Sequence, residues 1–378
     1  MEMYTSEKLI SENIDNNFSS RRLIILNKAK LIELFSEIEN IENLDFVRSK
    51  ILFLREILTN HRKDDIGLLN IDSGGDTISL RKDVIIDELN QIIESHTLER
   101  AKYYLKRLKE GFQKVKTNKI NEINLLRWKE YEEIITDSLW ILDKRDNSGA
   151  HLGWYWGNFI PQIPRQMMLR YTKKGDWILD TFVGSGTTLI ECRRLGRNGI
   201  GIELNQEVAQ KAKELIEKEQ NKSNVISEVI VGDSRTIGIK QILDKYGITK
   251  VQLLIMHPPY HDIIKFSKNE KDLSCAKNTE EFLKMFGEVV DNATPFLEKG
   301  RYFALVIGDK YSKGEWIPLG FYCMQEVLKR GYLLKSIIVK NFEETRGKRN
   351  QKELWRYRAL VGGFYIFKHE YIMLFKKK

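Results

Sequence analysis

The chain has 378 residues, 42% of them hydrophobic and 30% charged, enough to bury the cores of two domains, and 62 basic against 53 acidic side chains leave a net charge of +9. No run approaches the roughly 18 apolar residues that a membrane span requires, and the start MEMYTSEKLI lacks the order of a secretory signal, so a soluble, cytoplasmic protein with no membrane partner is expected. The excess of positive charge favours a polyanionic partner, because neutralising phosphates releases counterions. Cys192, Cys275 and Cys323 are odd in number and scattered, which suits packing rather than a disulfide framework or a zinc site, and no metal is expected.

From residue 1 to about 145 the pattern is helical. RRLIILNKAKLIELFSEIEN and DVIIDELNQIIESHTLERAKYYLKRLKEGF place apolar residues at spacings of three and four among charges, as amphipathic helices do. Gly74 and Gly75 punctuate this module, and Ser79 is expected to cap the helix that follows, with Asp83 nearby. LERAKYYLKRLKEGFQKVKTNK carries eight basic and two acidic residues. Lys106 and Arg107 there are candidate phosphate contacts, although the same face suits packing or dimerisation.

Residues 146–378 change character. HLGWYWGNFIPQIPR gathers Trp154, Tyr155 and Trp156 beside Gly and Pro, a segment able to close over a ligand or simply to pack. Short β-branched runs then alternate with helical patterns: DWILDTF, NGIGIEL, VISEVIVGD, VQLLIM, RYFALVIGD, LLKSIIV and FYIFKHEYIMLF. That alternation predicts an α/β fold with a mostly parallel sheet flanked by helices. No internal repeat interrupts it.

Within DWILDTFVGSGTTLIECRRLGRNGIGIELN, a strand ending at Asp180 meets a turn with Gly184 and Gly186 before a helix opens. Glycines let the backbone approach a ligand, and the free amides of a helix start favour its polar or anionic groups. Taken alone, such a turn is equally a tight connection. Glu203 ends the next strand run, where a carboxylate can accept from both hydroxyls of a ribose, and Asp233 ends the one after. The carboxyl ends of adjacent strands share one crevice, so Asp180, Glu203 and Asp233 are expected to line one site. The turn lacks the Gly-Lys-Ser/Thr ending of a phosphate-loop NTPase and the three-glycine spacing of a nicotinamide dehydrogenase. Further on, VQLLI runs into MHPPYHD, and two prolines cannot continue a sheet ladder.

DTFVGSGTT followed by HPPY resembles the S-adenosylmethionine-dependent amino-group DNA methyltransferases, which methylate adenine N6 or cytosine N4. The resemblance extends over about residues 150–378 and takes in NFIPQIPRQMMLRYTKKGDWILD and the closing FKHEYIMLFKK. It implies a Rossmann-like methyltransferase fold with an antiparallel closing strand. It also implies that Phe182, Gly184 and Gly186 surround the methionine part of the cofactor, Glu203 its ribose and Asp233 its adenine. Thr187 and Thr188 open the next helix, and Asn158 through Pro164, with Pro161, belong to the segment leading into the site. His257, Pro258, Pro259 and Tyr260 become the catalytic tetrapeptide. The rigid prolines fix a backbone carbonyl as acceptor for the target amine, and Tyr260 stacks on a base flipped from double-stranded DNA.

His257 departs from the family, which usually has Asp, Asn or Ser there. A neutral imidazole still offers one acceptor, whereas the protonated ring only donates, so activity is expected to fall at low pH as His257 charges. His261 and Asp262 can edge the pocket, but His261 fits an ordinary solvated loop. The order of segments resembles the class with the cofactor region first, in which recognition often follows the catalytic domain. In this sequence recognition is expected from the helical front, from NFEETRGKRNQKELWRYRALVGG, or from a separate subunit. That insertion interleaves Arg346, Lys348, Arg349, Lys352, Arg356 and Arg358 with Trp355 and Tyr357, which suits phosphate contact with stacking, and equally a plain basic loop. The family association suggests a restriction-modification or defence setting, a partner nuclease or specificity subunit, and a monomer or homodimer. An RNA or tRNA base methyltransferase and a non-catalytic DNA-binding subunit remain alternatives.

Overall fold

The structure is a computed structural model that describes residues 23–60, 66–69, 76–342 and 352–378. Its contacts divide the chain into two units, Met1–Asn118 with Ile123–Glu133, and Lys119–Glu122 with Ile134–Lys378.

In the first unit, strand β1 (Leu23–Asn27) leads into helices α1 (Lys28–Glu39) and α2 (Leu44–Asn60), and strand β2 (Thr77–Arg81) leads into α3 (Lys82–Ile93) and α4 (Leu98–Gln113). The helical module expected from the sequence thus contains a two-stranded antiparallel ribbon. The reason is local: Ile24 and Leu26 are buried while Leu23 and Ile25 are exposed, a period of two that a helix would break. Ser79 pairs with Ile25 inside this ribbon and does not cap α3. The cap position is Arg81, which offers no side-chain acceptor and instead holds Asp83. Phe35, Leu54, Leu89 and Leu105 meet in the core of the unit.

The second unit is built on an eight-stranded sheet. Its strands are β3 (Leu139–Trp140), β4 (Trp177–Asp180), β5 (Asn198–Glu203), β6 (Ser227–Val231), β7 (Val251–Met256), β8 (Leu297–Ile307), β11 (Leu333–Asn341) and β12 (His369–Lys376); β9 (Lys310–Ser312) and β10 (Glu315–Ile317) form a separate hairpin. The order is β3-β11-β12-β8-β7-β4-β5-β6. Only β12 runs against its neighbours, pairing antiparallel with both β11 and β8. Because β3 pairs with β11, residues from Ile134 onward join this unit, and the boundary falls upstream of residue 145.

Helices α5 (Gln162–Tyr171), α6 (Thr187–Leu195), α7 (Gln206–Lys218), α8 (Ile239–Asp244), α9 (Thr279–Ala293), α10 (Leu319–Lys329) and α11 (Lys352–Gly362) complete the unit. Strand β7 shows why the apolar runs read as continuous: Leu254 and Met256 pack into one core with Phe282 and Phe286 of α9, while Leu253 and Ile255 pack into another with Ile163 and Met167 of α5. A strand covered on both faces needs apolar residues at every position. Burial of each such side chain contributes about 1.5–3 kcal/mol. Cys192 and Cys323 are buried packing residues, and burial pushes both thiols up. This is a Rossmann-like α/β fold.

Candidate active site

The chain steps outward from β4 to β5 to β6, then returns to the other side of β4 with β7. The order reverses between β4 and β7, and in open α/β sheets the crevice beyond the carboxyl ends of the strands at such a point is where ligands bind. Here the crevice is a cavity of about 1540 Å³. Small-ligand sites run about 300–1,000 Å³, so it has room for more than one ligand group.

The glycine turn after β4 forms one wall. Gly184 and Gly186 both adopt positive φ, 51° and 85°, which L side chains rarely accept. The Gly184 amide donates to Glu203 Oε2 at 3.1 Å, and the Asn205 amide to Glu203 Oε1 at 2.9 Å. Burial pushes the Glu203 carboxyl up, and these two amides oppose it. Asn158 Nδ2 donates to Ser185 Oγ at 2.5 Å, tying the preceding segment to the turn. Tyr155 stands over Gly184 and stacks on Phe266, with centroids 5.6 Å apart. Burial pushes the Tyr155 phenol upward. Asp233 is held by Arg235, 2.8 Å from its Oδ2.

The tetrapeptide after β7 forms the other wall. His257 Nε2 lies 3.3 Å from the Tyr260 hydroxyl, which donates to Glu370 Oε2 at 2.9 Å, and Lys340 Nζ meets Glu370 Oε1 at 2.9 Å. Lys340 and Glu370 are register partners on β11 and β12, both buried. Burial pushes His257 down to about 4, with Lys340 adding to that effect and Glu370 opposing it. Burial pushes Glu370 up, but Lys340, His257 and the Tyr260 hydroxyl together hold it below the usual carboxylate range. Loss of activity as His257 charges near neutrality is therefore not expected, because the ring stays neutral well below pH 6.

Of the residues singled out in the sequence, Asn158, Phe182, Gly184, Thr187, Glu203, Asp233, His257, Pro258, Pro259 and Tyr260 line this cavity. Asp180, Gly186 and Pro161 do not. Asp180 is fully buried behind the turn, accepting from the Phe182 amide and the Thr188 hydroxyl, and burial raises it to about 6. Gly186 turns the backbone into α6, with Ile216 only 3.0 Å from where a Cβ would stand. Pro161 is buried at the cap position of α5.

His261 is buried, not solvated: its Nε2 donates to the Ala276 carbonyl at 2.9 Å, and Lys310, which also pairs with Asp262, meets its Nδ1 at 3.0 Å. Arg107 is engaged within its own unit by Glu88 and, at 2.8 Å, by Gln91, whereas Lys106 is exposed. Arg346, Lys348 and Arg349 lie outside the described residues. Lys352 is the first residue of α11, and Arg356 is exposed on it. Asp146, His151 and Glu191 bring ligand-type atoms within 4.8 Å of one another, and the Arg194 guanidinium lies 3.3 Å from Asp146 and 3.4 Å from Glu191.

Lys340, Glu370, Thr181 and Phe266 also line the cavity, and the sequence reading did not single them out. The signal for two of them was present: Lys340 and Glu370 are opposite charges inside otherwise apolar strand runs. Their pairing required knowing that the two strands are neighbours.

The strand order and the crevice are those of a Rossmann-like α/β domain with a candidate ligand site at the reversal. A sequence profile of the DNA methylase family matches residues 17–214. The chain belongs to this family of amino-group DNA methyltransferases. The match starts within the helical module and stops before the tetrapeptide, whereas the resemblance seen in the sequence ran from about 150 to the end.

The chain is 33% identical over 105 residues to the Type II methyltransferase M.MjaII of Methanocaldococcus jannaschii, covering 25% of this chain and 20% of that protein. It is 44% identical over 63 residues to M.HpaI of Haemophilus parainfluenzae, covering 17% and 20%. With M2.DpnII of Streptococcus pneumoniae it shares 48% over 59 residues, 16% and 22% of the two chains. The matched segments thus span about a fifth of these relatives. Among solved structures, TrmN from Thermus thermophilus is similar at 15% identity and a TM-score of 0.37, over 58% of this chain and 49% of that one. Among the described residues no helix is long and apolar enough to cross a membrane.

Proposed function

We propose that the protein transfers a methyl group from S-adenosylmethionine to the exocyclic amino group of adenine (N6) or cytosine (N4) in double-stranded DNA, on a base turned out of the duplex. The observation that carries this reading is the opening of the glycine turn, Glu203, Asp233 and the His257–Tyr260 tetrapeptide into one cavity at the reversal of strand order. The Type II methyltransferases among the relatives support a restriction-modification or related defence setting.

The cofactor half suits an adenosyl ligand. Thr181 is among the residues lining the cavity, and its Oγ1 is buried without a hydrogen-bond partner. Glu203 spends one site of each oxygen on a backbone amide, and an ionised carboxylate has about four, leaving acceptors for two ribose hydroxyls. Gly184 presents bare backbone beneath the Tyr155 ring, and Asp233, both of whose oxygens accept from Arg235, stands in the same cavity as the proposed adenine contact. When bound, S-adenosylmethionine supplies an electrophilic methyl: the amine lone pair forms the N–C bond while the C–S pair stays on sulfur.

The residues of the other half prepare the amine. Its lone pair is delocalised into the base, so acceptors that orient its hydrogens favour a tetrahedral, nucleophilic nitrogen. The Pro258–Pro259 backbone is one rigid acceptor, and neutral His257 is the second. Tyr260 offers its ring to the extruded base. The proton shed by the methylated amine passes to the acceptor it already faces and on to water. Lys106, Arg356, Lys352, Arg346, Lys348 and Arg349 are the candidate phosphate contacts.

Incubation with labelled S-adenosylmethionine and unmethylated double-stranded DNA, followed by nucleoside mass spectrometry, tests this reading. N6-methyladenine or N4-methylcytosine is expected, and is expected to disappear in His257→Ala and Tyr260→Ala. Label entering RNA instead, or cofactor binding without transfer, would replace the reading with an RNA methyltransferase or a non-catalytic binding subunit.

A further inference from the structure

A histidine in the acceptor position of the tetrapeptide raises a problem that Asp, Asn or Ser does not. Neutral imidazole has one bare nitrogen and one N–H, and only the bare nitrogen accepts from an amine. Which nitrogen is bare depends on the hydrogen bond that the other one makes.

The contacts around Tyr260 decide this. A phenol carries one proton. Its partner at 2.9 Å is Glu370, an ionised carboxylate held by Lys340, which can only accept. The Tyr260 proton is therefore committed to Glu370. At its contact with His257 Nε2, 3.3 Å away, the Tyr260 oxygen has only lone pairs to offer. His257 Nε2 must then be the donor. Burial and Glu370 both keep the phenol protonated, and His257 remains neutral, so the ring has a single hydrogen and it sits on Nε2. The edges of the ring are held by T-shaped contacts, with Phe159 at 4.9 Å and Tyr260 at 5.6 Å between centroids.

We infer that Lys340, Glu370 and the Tyr260 hydroxyl form a positioning relay that fixes His257 as the Nε2–H tautomer and leaves Nδ1 as the acceptor for the target amine. Lys340 and Glu370 are positioning residues, acting through Tyr260 on the group that meets the substrate. The relay would let a histidine serve where the family usually places Asp, Asn or Ser. This inference rests on the methyltransferase reading proposed above.

Two measurements on the full chain test it. In protein labelled with 15N-histidine, long-range 1H–15N correlation spectra report the tautomer directly, with His257→Asn identifying the resonance. Wild type is expected to show His257 Nδ1 at the limiting position of a bare nitrogen from pH 8 to 5.5, and Tyr260→Phe, which keeps the ring, to move it toward a tautomeric average. An Nδ1–H signature in wild type overturns the inference.

The second measurement is a double-mutant cycle on kcat. Glu370→Gln is expected to lower kcat at least tenfold in wild type but less than twofold in His257→Asn, whose amide oxygen accepts without any tautomer choice. An equal loss in both backgrounds overturns the relay in favour of a merely structural role. Should Glu370→Gln fail to fold, Glu370→Gln/Lys340→Met removes both charges and takes its place in the cycle. Because the spectra do not depend on turnover, a wild type that methylates no DNA defeats the functional reading alone, and an active wild type with the wrong tautomer defeats this inference alone.

Discussion

The two walls of the cavity are supported in different ways. Around the glycine turn, polar groups find partners nearby in the chain: the Phe182 amide reaches Asp180 two residues away and the Gly184 amide reaches Glu203 nineteen away. Around the tetrapeptide, Tyr260 reaches Glu370, 110 residues further on, and Glu370 meets Lys340 across two strands. The first wall is held by backbone shape and amide hydrogen bonds, the second by a buried charge pair. A wall of the first kind weakens gradually when altered, because each hydrogen bond contributes about 1 kcal/mol net. A wall of the second kind fails abruptly, because loss of one partner leaves an uncompensated charge.

The largest expected effect is on the second wall. Lys340→Met strands the Glu370 carboxylate and should cost about 3–5 kcal/mol in denaturant unfolding, while Lys340→Met/Glu370→Leu should cost clearly less. Equal costs would break the contrast between the walls. On the first wall, Gly186→Ala places a side chain at φ 85° with Ile216 3.0 Å away. A loss of about 1–2 kcal/mol and weaker cofactor binding by calorimetry are expected. An unchanged midpoint would show that the turn is not held by shape.

Thr188→Val is milder still. It removes one of the hydrogen bonds to Asp180, for about 1 kcal/mol. The Asp180 carboxyl, already raised to about 6, should rise further. A raised carboxylate stabilises below its unfolded value and loses that contribution as pH climbs through its folded value. The variant's stability should therefore fall more steeply than wild type between about pH 4 and 7, as unfolding midpoints against pH would show.

The smallest expected effect is none. His257 is pushed down to about 4, so wild type and His257→Asn should have kcat profiles of the same shape from about pH 8 to 5.5. A wild-type titration near 6.5 that is missing in the variant would break the assignment of a neutral ring. Stability has the opposite sensitivity. The unfolded chain takes up this proton near 6.5 and the folded chain only near 4, so His257 costs stability as pH falls between those values.

The same distinction explains what was legible in the sequence. Apolar runs ending in Asp180, Glu203 and Asp233, and the prolines after β7, are local patterns, and the parallel sheet with its shared crevice followed from them. The ribbon of the first unit was hidden because LIILN is apolar enough to extend the helical pattern beside it; only its alternating exposure distinguishes it. Asp180 reads in the sequence as a ligand contact, because a strand-end carboxylate looks the same whether it faces the crevice or braces the turn from behind. Lys340 and Glu370 acquire meaning only through the register of β11 with β12, which no spacing in the chain encodes.

That register also fixes where the chain leaves and rejoins the sheet. Lys340 pairs with Glu370 and Asn341 with His369, so residues 342–368 leave and re-enter the sheet at adjacent points. The buried Lys340–Glu370 pair closes the base of this excursion, and helix α11 lies within it. Phe342, Trp355 and Phe367 of this excursion line the same cavity as His257 and Tyr260, so a change in the segment is felt at the site while the buried pair holds its base in place.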